Sequence, residues 1–515
     1  MNGAESLLRT LAGAGVEVCF ANPGTTEMPL VQALEGVGAI RPVLGTFEGV
    51  CSGAADGYAR MLGRPALTLF HLGPGFANAI SNLHNARRAR SPVVNLVGDH
   101  ATWHRDADAP LASDIVSLAR PVSCWVRSSV SSGQLAADGA QAVAAACSAP
   151  GGIATLIVPA DAQWGEASGP APAVPPRAPR PVSADHVDEV AAALRVSRSG
   201  ALCLGAAGLS VRGQWAAARI AARTGCKVLG EVFPARMERG AGLPRIDRMP
   251  YFPERVSAVL GGADLLVLAG ATEPVSFFGY PGVPSRLTPD GCNLATLAEP
   301  GDDVEAALLA LADALDAPAA SAALAFPAKT PVAPEGKLTP EAVGAVLALL
   351  QPEGAIIVDE AGTTGSAYFY RATASPPHTL LTLTGGSLGM GPAAATGAAL
   401  ACPGRVVIDF QGDGSVLYTL QSLWTQAREQ LHVVTLVCAN RSYRILEVEL
   451  ARAGVAQPGP RARSLTSLSS PDVDYVSLAK GFGVPGQKVD DVATLKAALA
   501  RAIAEPGPHL LHLAL

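Results

Sequence analysis

The run Val406-Val407-Ile408-Asp409-Phe410, followed by Gln411-Gly412-Asp413-Gly414-Ser415, constrains this chain more than any other stretch. A short apolar β-type segment stops at a Gly-Asp-Gly turn. Ser415 to Glu429 then carries helical periodicity, with Leu417, Leu420, Trp424 and Ala427 on one face. A second buried strand, Val433 to Cys438, delivers Asn440 at its carboxyl end. The spacing predicts a carboxylate and a side-chain amide at neighbouring strand ends, with a helix N-terminus between them. In open α/β sheets that edge binds ligands. The glycines let a phosphate approach the backbone, and the helix N-terminus favours negative charge. Asp413, the Asn440 side-chain oxygen and the main-chain carbonyl of Ser442 form a hard oxygen set, suited to a Mg²⁺ that completes its shell with phosphate oxygens and water.

The rest of the chain supplies context for that module. Its 515 residues suit about three domains of roughly 150 residues each. Helix and strand patterns alternate through residues 1–165, 185–316 and 336–515, so the expected fold class is α/β with three doubly wound parallel-sheet domains. Pro- and Ala-rich stretches, Glu166 to Pro181 and Pro318 to Pro334, read as linkers. Thr339 and Pro340 are placed as N-cap and first helical residue of the last domain. A formal net charge of −6 gives no hint of a nucleic-acid surface. Nine cysteines without a C-x-x-C pair read as reduced thiols in a cytoplasmic protein. Neither a signal peptide nor a membrane-spanning run is expected.

The strand, Gly-Asp-Gly, helix, strand, Asn layout resembles the thiamine diphosphate (ThDP) motif of the acetolactate synthase and pyruvate oxidase superfamily, and the three-domain plan extends that likeness over essentially the whole chain. The resemblance implies a pyrimidine-binding domain at 1–165, a central domain at 185–316 and a diphosphate-binding domain at 336–515. It implies a homo-oligomer, a dimer or a dimer of dimers, in which Glu48 of one subunit faces Asp413 of another. Thr46-Phe47-Glu48-Gly49 and Ala55-Asp56-Gly57-Tyr58-Ala59 match the family stretch whose Glu relays protons on the aminopyrimidine ring. Read alone, Glu48 is an ordinary acidic residue at a helix N-terminus.

Further assignments follow from the same resemblance. Thr25 and His71 stand where benzoylformate decarboxylase places a serine and a histidine that touch substrate. A strand-end histidine satisfied by backbone is the competing reading of His71. In Gly385-Gly386-Ser387-Leu388-Gly389-Met390-Gly391, Leu388 is the candidate wedge between the two cofactor rings, with Met390 nearby. Gly362 and Thr363 after one strand, and Gly412, Gly414 and Ser415 after another, are candidates for the diphosphate. Tyr443 lies over the cofactor or packs. Asp413, Asn440 and Ser442 are the metal ligands.

The chain also departs from the family pattern. Arg441 and Arg444 stand where glycine is common, and Pro274 to Tyr280 lacks the second histidine of benzoylformate decarboxylase. Asp108-Ala109-Pro110-Leu111 replaces the phenylalanine-glutamine pair of the acetolactate synthase entrance. Gly205-Ala206-Ala207-Gly208 is a partial glycine fingerprint, so FAD is not favoured. His100 and His104 lack a clear third ligand for zinc. The expected activity is ThDP- and Mg²⁺-dependent decarboxylation of a small 2-oxo acid with carboligation, as in acetolactate synthase. The alternatives are a simple benzoylformate-type decarboxylase, a non-catalytic ThDP-binding paralogue, and a lyase for an anionic substrate, which the added arginines would suit.

Overall fold

The computed structural model describes residues 1–325, 332 and 334–515. The part of the expected second linker from 326 to 331, and position 333, lies outside the described residues. Two compact units emerge. One is built from Met1–Arg177, the stretch ending at Arg371, and Leu383–Leu515. The other takes the stretch beginning at Ala178 together with Ala372–Thr382.

In the first unit, six strands are β1 (Val18–Asn22), β2 (Arg41–Leu44), β3 (Ala66–His71), β4 (Val93–Asp99), β5 (Trp125–Ser128) and β6 (Ile153–Pro159). They form an all-parallel sheet in the order β2-β1-β3-β4-β6-β5. The chain moves outward from β1 to β2 and then returns to the other side of β1 at β3. That reversal opens a crevice beyond the carboxyl ends of β1 and β3. Register pairs Asn22 with Phe70, so the loop after β1 and His71 at the end of β3 meet there. Apolar side chains fill both sheet faces, Leu67, Leu96 and Leu156 in one core and Phe70, Val97 and Ile157 in the other.

The second unit holds β7 (Gly200–Leu204), β8 (Lys227–Gly230), β9 (Met237–Arg239), β10 (Asp247–Arg248), β11 (Leu265–Ala269) and β12 (Asn293–Ala298). Its parallel sheet runs β10-β8-β7-β11-β12. β13 (Ile356–Glu360) returns to the first unit, whereas β14 (His378–Thr382) pairs antiparallel with β9. Its backbone hydrogen bonds with the short β9 place it among the contacts of the second unit.

The C-terminal strands of the first unit are β15 (Val407–Gly412), β16 (Val433–Ala439), β17 (Gly486–Val489) and β18 (His509–Ala514). With β13 they lie in the order β17-β18-β16-β15-β13, all parallel. The Thr339 hydroxyl accepts from Ala342 N at 3.1 Å, with Pro340 opening the helix as the sequence predicts. The single helix expected over Ser415 to Glu429 is instead two, Asp413–Val416 and Ser422–Arg428. Thr419 lies in the break, and its hydroxyl donates to the Gly389 carbonyl at 2.7 Å. A tertiary bond wins there over helical periodicity.

The N- and C-terminal sheets of the first unit are joined by two helices, Glu48–Leu62 and Met390–Ala401. A Cβ on Gly397 would lie 1.8 Å from the Ala54 carbonyl oxygen, and one on Gly57 2.0 Å from that of Ala394. Both positions require glycine because backbone meets backbone. Among the described residues, no helix is long and apolar enough to cross a membrane.

Candidate active site

The crevice at the end of β1 and β3 is built around two buried carboxylates. Glu48 opens the Glu48–Leu62 helix and is 8% exposed. Asn78 Nδ2 donates to its Oε2 at 3.0 Å. Gly75 passes beside Oε1, where an added Cβ would stand 3.1 Å away, so the missing side chain leaves that oxygen open. Asn78 belongs to the Leu72–Ala89 helix, whose residues Asn78, Asn82 and Asn85 share one face by helical spacing. Asn82 Nδ2 donates to Gly49 O at 2.8 Å and to Gly389 O at 3.2 Å, and Asn85 Nδ2 donates to Ser387 O at 2.8 Å. This asparagine stripe ties the Glu48 turn to the Gly385–Gly391 loop. Its i, i+4, i+7 pattern was readable in the sequence, but amide side chains at that spacing ordinarily mark a solvated face.

Glu27 is the second carboxylate, and sequence reasoning missed it. It has no exposed surface. Its Oε2 accepts from Gly24 N at 2.7 Å and lies 2.8 Å from His71 Nδ1, while the Thr26 hydroxyl donates to Oε1. A Cβ on Gly98 would overlap Glu27 Oε1 at 1.7 Å, so that glycine makes room for the acid. The imidazole is thus held by a carboxylate rather than by backbone. Thr26 Oγ1 also lies 3.2 Å from His71 Nδ1, whereas Thr25 is exposed at the start of the Thr25–Glu27 turn. Leu72, the next residue, takes φ 51°, a left-handed backbone that an unconstrained leucine avoids.

At the C-terminal sheet, register pairs Gly412 with Cys438 and brings the ends of β15 and β16 side by side. Asp413 Oδ1 accepts from Gly414 N at 2.9 Å and Oδ2 from Arg441 N at 2.5 Å, while Asn440 Oδ1 accepts from Ser442 N at 3.0 Å. Asp413 and Asn440 are therefore bound to consecutive amides of one turn. Burial pushes the Asp413 carboxyl above its ordinary value against these amide donors. A nearby cation would offset that cost, and the carboxylate, amide and carbonyl oxygens fit a hard divalent ion. Arg441 adopts φ 60° at the position where the family favours glycine, and that turn aims its amide at Asp413. Tyr443 packs on Gly414, since a Cβ there would lie 2.3 Å from its ring. Tyr475 Oη donates to Asp413 O at 2.9 Å and braces the same turn from below.

Gly362 and Thr363 are exposed at the end of β13, and Ser415 is buried at the first turn after β15. Its Oγ lies 3.1 Å from Gly412 O and 3.2 Å from Gln411 Oε1. Leu388 keeps a partly open side chain, but Met390 is fully buried as the first residue of its helix.

Other sequence features take simpler parts. Arg441 pairs with Asp472 at 3.4 Å and Arg444 with Glu447 at 2.8 Å, so each guanidinium has an acidic partner. His100 and His104 stack edge to face at 5.5 Å, and Arg105 pairs with Asp99 at 2.8 Å. No group of three or more His, Cys, Asp or Glu side chains with metal-site geometry occurs among the described residues. In the middle domain Gly205 serves close packing, because a Cβ there would meet Gly270 O at 2.6 Å.

Comparison with known proteins bears on the same residues. Residues 1–118 match the N-terminal TPP binding domain of thiamine pyrophosphate enzymes, and residues 360–513 match the C-terminal TPP binding domain. The chain is 48% identical over 513 residues to the Mycobacterium tuberculosis protein described as "Putative acetolactate synthase large subunit IlvX", covering 99% of this chain and 98% of that one. It is 30% identical to benzoylformate decarboxylase of Pseudomonas aeruginosa, with 96% of each chain covered. Among solved structures, the ThDP-dependent 4-hydroxybenzoylformate decarboxylase of Rhodococcus jostii RHA1 superposes with a TM-score of 0.86 at 25% identity, covering 100% of this chain and 99% of that one.

Proposed function

Because this chain belongs to the thiamine pyrophosphate enzyme family, we propose that it uses ThDP with Mg²⁺ to decarboxylate a small 2-oxo acid and join the remaining acyl unit to a second carbonyl compound. It is a ThDP-dependent enzyme of the acetolactate synthase and benzoylformate decarboxylase type. The observation that carries the carboligase reading is the 48% identity, over nearly the full length of both chains, to the acetolactate synthase-like relative. We read residues 1–165 as the pyrimidine-binding domain, 185–316 as the central domain and 336–515 as the diphosphate-binding domain. The working unit is a homo-oligomer whose active sites lie at the subunit interface.

When bound, ThDP supplies an electron sink for the pair left behind as CO₂ departs. The chain supplies position and protons. Glu48 Oε1, left open by the Asn78 bond to Oε2, is the oxygen assigned to hold the proton of the aminopyrimidine ring. Glu27 occupies Nδ1 of His71 and leaves Nε2 to move a proton to or from substrate. Thr25 offers an exposed hydroxyl to the substrate carboxylate. Asp413, Asn440 and the Ser442 carbonyl hold Mg²⁺. Gly362, Thr363, Gly412, Gly414 and Ser415 line the diphosphate path, Leu388 shapes the cofactor, and Tyr443 borders it.

The Glu27–His71 pair favours a second reading, a simple decarboxylase that protonates its product and releases an aldehyde. The deciding experiment measures CO₂ release from a panel of 2-oxo acids with ThDP and Mg²⁺, with products identified and Glu48→Gln as control. Acetolactate or another 2-hydroxy ketone supports the carboligase. Aldehyde alone transfers the chain to the second reading. ThDP binding without turnover of any substrate in the panel counts against both and supports a binding paralogue.

A further inference from the structure

We propose that Glu360 and Gln411 act as a positioning pair that holds the Leu388 loop and the Ser415 turn at one spacing, so that the cradle is preset before the cofactor arrives. The proposal rests on the ThDP reading given above. Glu360 ends β13, Gln411 stands opposite it on β15 in register, and both are buried, Gln411 completely.

The Met390–Ala401 helix needs a cap. Its N-cap residue, Gly389, sits at φ 93° and has no side chain to accept from the first amides. Those amides have no acceptor within the helix. Glu360 supplies one from another strand: Gly389 N donates to Oε1 at 2.7 Å and Gly391 N to Oε2 at 2.7 Å. A carboxylate straddling a helix N-terminus is favoured by the helix dipole. The cap therefore grips the residue that follows Leu388.

Gln411 extends the grip. Its amide Nε2 donates to Asp409 Oδ1 at 2.6 Å and also hydrogen-bonds Glu360, while its Oε1 accepts from Ser415 Oγ at 3.2 Å. One side chain thus joins the cap of the wedge loop to the turn assigned to the diphosphate. Gly391 is required for this junction, because a Cβ there would fall 1.6 Å from Gln411 Nε2. Asp409 is closed from below by Thr435 Oγ1 at 3.2 Å. β15 is otherwise an apolar strand, and three buried polar groups in this corner need a reason beyond core packing.

Hydrogen–deuterium exchange on the full chain without added cofactor, combined with ThDP titration in the presence of Mg²⁺, tests the proposal. In Glu360→Gln one of the two clamped amides faces a donor instead of an acceptor. We expect exchange over residues 387–391 to accelerate about tenfold or more, with the β18 amides unchanged. The ThDP KM should rise by about tenfold while kcat stays within about twofold, because preorganisation is lost but the bound geometry is recovered. Gln411→Met, close in volume, should move both readouts in the same direction and carries the test if Glu360→Gln does not fold. Unchanged exchange in both variants overturns the clasp, and faster exchange with an unchanged ThDP KM overturns its positioning role. A wild-type chain that binds no ThDP overturns the reading beneath the proposal, and is recognisable because the exchange readout needs no ligand.

Discussion

A carboxylate with no exposed surface beside an imidazole is the sharpest residue-scale feature of the molecule. Neutralising it by Glu27→Gln removes the fixed acceptor at His71 Nδ1 while keeping the volume under Gly98. If Glu27 orients His71, this variant and His71→Ala should each lower turnover by about 10²-fold, and the double variant should be little worse than either. Additive losses in kcat would separate the two residues. Asp413→Ala should abolish Mg²⁺-dependent ThDP retention, read by cofactor content after gel filtration, whereas retained cofactor would remove Asp413 from the metal site. The Gly-Asp-Gly module was legible in the sequence because its strand, turn and helix start are consecutive in the chain, and Glu48 was singled out because the stretches around it resemble the family's. Glu27 was not, since its meaning depends on His71 and Gly98, which reach it through sheet register. Gln411, the strand partner of Glu360, likewise lies 51 residues along the chain.

At the scale of elements, the strand β13–β15 pair carries an electrostatic cost. Burial pushes Glu360 up to about 7 from an ordinary 4.5, against the amides of Gly389, Met390 and Gly391 and the Gln411 side chain that favour its charged form. Burial also raises Asp409, and the neighbouring Glu360 charge adds to that. A carboxyl raised in the folded state contributes stability that is complete below its unfolded value and lost as pH climbs through its folded one. Between pH of about 4.5 and 7 the wild type should therefore lose roughly 3 kcal/mol that Glu360→Gln does not, by the size of the shift. The measurement is the thermal midpoint of both proteins across that window, and parallel curves would contradict the assignment. A fold that keeps an ionisable group at this cost is trading stability for position. Helix contact is equally unforgiving: Gly397→Ala should cost about 1–3 kcal/mol by forcing its helix away from Ala54, seen as a lower unfolding midpoint. Strand periodicity located most strands to within a few residues. β5, β9, β10 and β17 were missed because each is a short strand at a sheet edge. The break at Thr419 was missed because a bond to Gly389 overrides a helical pattern.

For the whole molecule, the proposed interface assigns Glu48 and Asp413 of each site to different subunits. Mixing unfolded Glu48→Gln and Asp413→Ala chains and refolding them together should then restore about one quarter of wild-type activity, because half of randomly paired dimers are mixed and each has one intact site. No recovery would place both residues of a site in one chain. The alternation of helix and strand was readable because parallel strands leave near-continuous apolar runs. The grouping of β14 with β9 was not, because pairing between distant short strands has no local signature. The first compact unit is also discontinuous along the chain, and this has a consequence for biosynthesis. The Glu48–Leu62 helix emerges from the ribosome with its glycine-notched face ready, but the helix that covers it begins only at Met390. Roughly 330 residues must be made in between, which at typical rates of about 5–20 residues per second takes roughly 17 to 65 seconds. During that interval the face of the Glu48–Leu62 helix that packs on Met390–Ala401 has no cover from its own chain.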